Sequence, residues 1–118
     1  MNRSSTSIMV FGIYLIGMGT GLLFIPNFVL GTLGLPAAND VWVRVVGALA
    51  LLLAYYYISA AWTGTKAFMQ WTVPGRIFVF LAFLGFVVAG LVGPIMIGLG
   101  LVDLLGALWT HISLRSQP

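Results

Sequence analysis

Residues 77–109 read IFVFLAFLGFVVAGLVGPIMIGLGLVDLLGALW, and Asp103 is the only ionisable side chain among them. The stretch is too long for one spanning helix and too apolar to face water, and Gly93-Pro94 divides it in two. Each half has a length and hydropathy suited to lipid. A carboxylate in such a place costs roughly 2.5–3.5 kcal/mol on insertion scales, so Asp103 calls for a partner, a proton or a water-filled pocket.

The rest of the chain agrees. Of 118 residues, 61% are hydrophobic and only 6% charged, against about a quarter charged in soluble domains. Five basic and two acidic side chains cannot clothe a water-facing surface. The basic residues are scattered, which leaves no footprint for nucleic acid. With no cysteine, disulfides, thiolate metal sites and iron–sulfur clusters are excluded. An apolar run from Ile8 to Ile25 follows Arg3. It exceeds the roughly 7–15 residues of a signal-peptide core and lacks a small-residue cleavage site, so it reads as a retained span.

A helix needs about 17–25 apolar residues to cross the hydrocarbon layer. Four runs qualify: 7–25, ended by Pro26-Asn27; 41–62, opened by Asn39-Asp40 and closed by Thr63-Gly64; 74–92, with Pro74 in its first turn; and 94–112. Backbone groups in lipid must be satisfied within their own segment, so all four are expected to be helices. The fold expected is an all-α bundle of four transmembrane helices forming a single membrane domain. Two short segments, 27–35 and 66–72, carry apolar residues between polar ones and are expected to lie in the headgroup layer. The third and fourth spans are expected to form a tight hairpin.

Four passes place both termini and the 63–73 connection on one side. Arg3, Lys66, Arg76 and Arg115 fall there, with Arg44 alone opposite. The positive-inside rule then puts both ends in the cytoplasm of a cell inner membrane. Trp62, Trp71 and Trp109 fall at the inner boundary and Trp42 at the outer, as an aromatic belt requires.

Gly100, Asp103, Gly106, Ala107 and Thr110 share one face by their three- and four-residue spacing. Small residues let helices approach closely, so Asp103 is expected to point into the bundle. There it acts either as a structural anchor or as a proton- or cation-linked ligand site. Arg44 is its candidate partner, since their depths differ by roughly 9 Å, within reach of a long side chain. The competing partner for Arg44 is Asp40, four residues earlier. Tyr55, on the Arg44 stripe, is the tyrosine expected to face Asp103. Arg76 is expected to snorkel to the headgroups together with Trp62, Trp71, Trp109 and His111 as interface anchors. Helix packing is assigned to Gly17 and Gly21, to Gly85 and Ala89, and to Gly100 and Gly106. His111 is the only histidine and lies roughly 12 Å along the axis from Asp103, so the two cannot share a metal. No cofactor or metal is expected.

The segments Val41–Gly47, Tyr55-Tyr56-Tyr57, Gly75-Arg76-Ile77-Phe78 and Gly100–Trp109 together resemble an uncharacterised family of small bacterial four-helix integral membrane proteins. The layout is more loosely similar to DoxX-like proteins. The resemblance implies a bacterial inner-membrane protein and carries no activity with it.

No paired carboxylates, Ser/His/Asp set or phosphate-binding loop is present. The function expected is therefore a non-catalytic accessory or partner-binding subunit of a membrane assembly, with lipids and other subunits or further copies of the chain as partners. A small transporter or ligand-binding protein using Asp103 is the alternative. An enzyme acting on lipid or quinone is the third possibility.

Overall fold

A computed structural model describes residues 1–116. Five helices occur among them: α1 (Arg3–Phe24), α2 (Pro26–Thr32), α3 (Trp42–Thr63), α4 (Lys66–Val88) and α5 (Ile95–Arg115). The four long ones have 22, 22, 23 and 21 residues and are apolar enough to cross a membrane. At about 1.5 Å per residue each matches a hydrocarbon core of about 30 Å.

Local chemistry sets the boundaries. The Asn2 side chain accepts the Ser5 N–H at 2.9 Å and caps α1. Pro26 stops α1 and opens α2, where its missing N–H does no harm. Thus α2 occupies the first expected headgroup-layer segment. The loop after it is pinned by Asn27, whose side chain accepts from Ala38 N–H at 2.8 Å. Gly64 takes the left-handed conformation (φ 65°) that closes α3.

The second expected headgroup-layer segment is helical instead. α4 begins at Lys66, so Pro74 lies inside it and not in its first turn. Proline removes one backbone bond and crowds the preceding turn. Tertiary packing outweighs that cost. Phe68 and Met69, before the proline, pack against Ile8, Tyr57, Ala60 and Ala61 of α1 and α3, and Phe68 meets the Tyr57 ring edge-on at 5.3 Å. α4 ends at Val88, and Gly90 (φ 77°) makes the turn into the α5 hairpin.

α1 packs between α3 and α5, and α4 packs on the far side of α5. The order in space, α3–α1–α5–α4, gives a flattened molecule of 47 × 29 × 18 Å. Only at the end carrying Arg3, Lys66 and Arg115 do the first turns of α4 also reach α1 and α3. Beyond Arg76, α4 has no buried residue.

α1 and α3 approach each other closely at their glycines. A Cβ at Gly47 would stand 2.6 Å from the Leu23 nitrogen, and one at Gly19 would stand 2.9 Å from the Gly47 carbonyl oxygen. Neither glycine was among those expected to pack. Of the six positions that were, Gly21 meets Val29 of α2, Gly100 meets Phe80 and Phe83, and Gly106 meets Arg76. A Cβ added at Gly17 or Gly85 would meet no neighbouring element within 4 Å, and Ala89 caps α4 on the exposed surface.

Gly47→Val should therefore destabilise the protein by about 1–3 kcal/mol or more, since the clash is with backbone. Gly17→Ala should be neutral. Thermal unfolding in a mild detergent checks both, and equal melting temperatures for the two variants would remove the glycine contact from the account.

Candidate functional site

Arg76 sits near the middle of α4, roughly 15 Å along the helix from Lys66. Only 3% of its surface is exposed, so it is not the snorkelling anchor expected from its place beside Pro74. Because α4 starts before the proline, Arg76 is carried into the middle of α4. Its position follows from the hairpin: Arg76 lies as many residues before Gly90 as Ala107 lies after Gly93.

The guanidinium is held on three sides. Nε donates to the Thr72 carbonyl at 3.3 Å, and Nη2 donates to the Thr72 hydroxyl at 3.0 Å and the Thr110 hydroxyl at 2.8 Å. The Phe11 and Tyr57 rings lie 4.9 and 5.6 Å from its central carbon, distances at which ring faces attract a cation. Thr72 in turn donates to the Met69 carbonyl at 2.8 Å, and Ser7 donates to the Ser4 carbonyl at 2.7 Å. Each hydroxyl has one proton. With its own proton committed, Ser7 must accept from Thr110 across their 2.7 Å contact. The donors thus run outward from Arg76 along both branches, so successive bonds polarise one another in the same sense.

One part of the guanidinium is left over. Nη1 is buried and has no hydrogen-bond partner. It lies against Gly106, where an added Cβ would stand 2.9 Å away. Gly106 also borders a groove of about 330 Å³ between α1 and α5, lined among others by Val10, Phe11, Tyr14, Leu105 and Trp109.

Asp103 lies half-buried on α5, one turn from Gly106. Arg44, its expected partner, turns elsewhere and donates from Nη1 to the Leu23 carbonyl. That contact caps the C-terminal end of α1, where a cation also meets the negative end of the helix dipole. Asp40 accepts the Trp42 N–H at 3.2 Å and so supports the start of α3. Tyr55 is 65% exposed and pairs with Tyr56, whereas Tyr57 is 6% exposed and faces the interior. Trp62, Trp71 and Trp109 all present large exposed surfaces, and His111 is exposed as well.

Among the described residues no group of His, Cys, Asp and Glu is placed to hold a metal ion. Comparison with protein-family models, curated proteins and solved structures finds no match to the chain.

Thr110→Val removes a hydroxyl that serves both Arg76 and Ser7, leaving two buried polar groups short of a partner. The expected loss is about 1–3 kcal/mol, read from unfolding in detergent with the exposed Thr6→Val as control. In a double-mutant cycle, Arg44 and Asp103 should add to within about 0.5 kcal/mol. Strong coupling would make Arg44 the partner of Asp103.

Proposed function

We propose that the protein is a non-catalytic, ligand-binding component of the membrane. Its ligand is an amphiphile whose acceptor oxygen meets Arg76 and whose chain lies in the α1–α5 groove. The observation carrying this reading is the buried, unpartnered Nη1 of Arg76. An N–H group held out of water without an acceptor costs energy that a bound oxygen returns. Intramembrane charges are functional candidates by default. A buried guanidinium has donors only and disfavours a cationic ligand, so the open capacity of the Arg76 site is for an acceptor.

The groove has suitable dimensions, at the lower end of the 300–1,000 Å³ typical of small-ligand sites, and walls that suit an acyl chain. The hydroxyl protons of Ser7, Thr72 and Thr110 are committed to acceptors, which supports binding over nucleophilic chemistry. For placement, Arg3, Lys66 and Arg115 gather at one end of the bundle, with Arg44 at the other. That asymmetry supports cytoplasmic termini in a bacterial inner membrane even with Arg76 withdrawn from the count.

The test uses a variant with Trp42, Trp62 and Trp71 changed to Phe, so that Trp109 in the groove is the only emitter. Dibromostearate added in neutral detergent should quench it saturably. Arg76→Leu should abolish the saturable part, and Val10→Phe, which narrows the groove without touching Arg76, should weaken it. Linear, unsaturating quenching of the parent would overturn the reading.

A second reading, the partner-binding subunit, is favoured by the unburied stretch of α4 beyond Arg76. It predicts a stoichiometric membrane partner on gentle extraction, lost when Leu81 and Phe86 are changed to bulky Trp. Recovery of the lone chain under several mild conditions would count against it.

A further inference from the structure

A second cavity, of about 420 Å³, lies between the first turns of α4 and the last turns of α5. Gln70, Val73 and Pro74 line one side, and His111, Leu114 and Arg115 the other. The geometry points to a seat for the headgroup of an acidic glycerophospholipid bearing free hydroxyls, of the phosphatidylglycerol type. The inference is separate from the Arg76 site and shares no residue with it.

Depth favours this seat. The cavity lies toward the basic end of the bundle, where Lys66 begins α4 and Trp71 is exposed. Tryptophan and long cations are the side chains that settle at headgroup level.

Charge favours it too. Arg115 and His111 stand four residues apart on one face of α5. The chain has only two side-chain carboxylates. Asp40 precedes α3 at the opposite end, and Asp103 lies two turns further into the membrane. Neither borders the cavity. A phosphate diester supplies the anion that the protein's own acids do not, and an arginine fork suits its oxygens.

A backbone acceptor is also at hand. Pro74 has no N–H, so the carbonyl of Gln70 loses its usual donor in α4. That carbonyl belongs to a residue on the cavity wall, as does the Gln70 side-chain amide. A headgroup with hydroxyl donors beyond its phosphate can use both. Phosphatidylcholine has no such donor, and the ammonium of phosphatidylethanolamine would sit close to Arg115. Val73 and Leu114 complete the wall with apolar surface for the start of the acyl chains.

The full chain in neutral detergent, mixed with defined lipids, is read by native mass spectrometry. Phosphatidylglycerol should be retained about fivefold over phosphatidylcholine, the scale of one cation's attraction to an anionic lipid. Arg115→Gln with His111→Gln should bring that ratio to about one without lowering the melting temperature, since both residues are exposed. Pro74→Ala returns an N–H to the Gln70 carbonyl. It should keep the preference for anionic lipid and lose the preference for phosphatidylglycerol over phosphatidic acid. Equal retention of phosphatidylcholine by the parent, or unchanged selectivity in the double variant, would overturn the assignment. Free glycerol phosphate binding as well as the lipid would do so too, by making the site one for a soluble anion.

Discussion

The hydrogen bonds from Arg76 to Thr72 and Thr110 hold the interior of this protein together. They join α4 to α5, and the Thr110–Ser7 contact carries the link on to α1. In water such bonds would exchange readily with solvent. In lipid the alternative to each is an unsatisfied polar group, which sets a penalty for separating any of the three helices. Measured values for single interhelical bonds in membranes are modest, about 0.6 kcal/mol on average. A charged donor shared among several acceptors, between two aromatic rings, stands at the stronger end.

A different device joins α1 to α3. There the contact is steric, with Gly19 and Gly47 letting backbone meet backbone. One side of the molecule is therefore fixed by polar bonding and the other by close approach. α1 takes part in both, which explains why it holds the central place in the row and buries the most residues.

The existence and number of the spans were legible in the sequence because hydropathy over long windows is dominated by the solvent. Side-chain direction was harder. Apolar residues on all faces of each helix leave little amphipathic signal to orient it. The face of α5 was readable because Asp103 and Thr110 mark it among small residues, and Thr110 does lie in the core. Arg76 was misplaced by one local rule: a proline two residues before it looked like a helix start, which put the arginine at the surface. The hairpin register, counted outward from Gly90 and Gly93, places it opposite Ala107 and gives the better guide. The glycine contacts at Gly19 and Gly47 belong to different helices, and no spacing within either helix announces them. Tyr57 could not be separated from Tyr55 by sequence because three consecutive tyrosines cover most directions around α3.

The buried arginine of α4 also bears on how the chain enters its membrane. α4 is synthesised before α5, so its guanidinium reaches the insertion machinery while Thr110 has yet to be made. A central arginine opposes partitioning by roughly 2.5–3.5 kcal/mol, and the apolar remainder of α4 must overcome this. Thr72, one turn away on the same helix, shields part of the charge from the outset. Full shelter arrives only when the following segment emerges and folds back through the Gly90 turn. The natural unit of biogenesis in this half of the protein is thus the α4–α5 pair delivered together, not two helices released in succession.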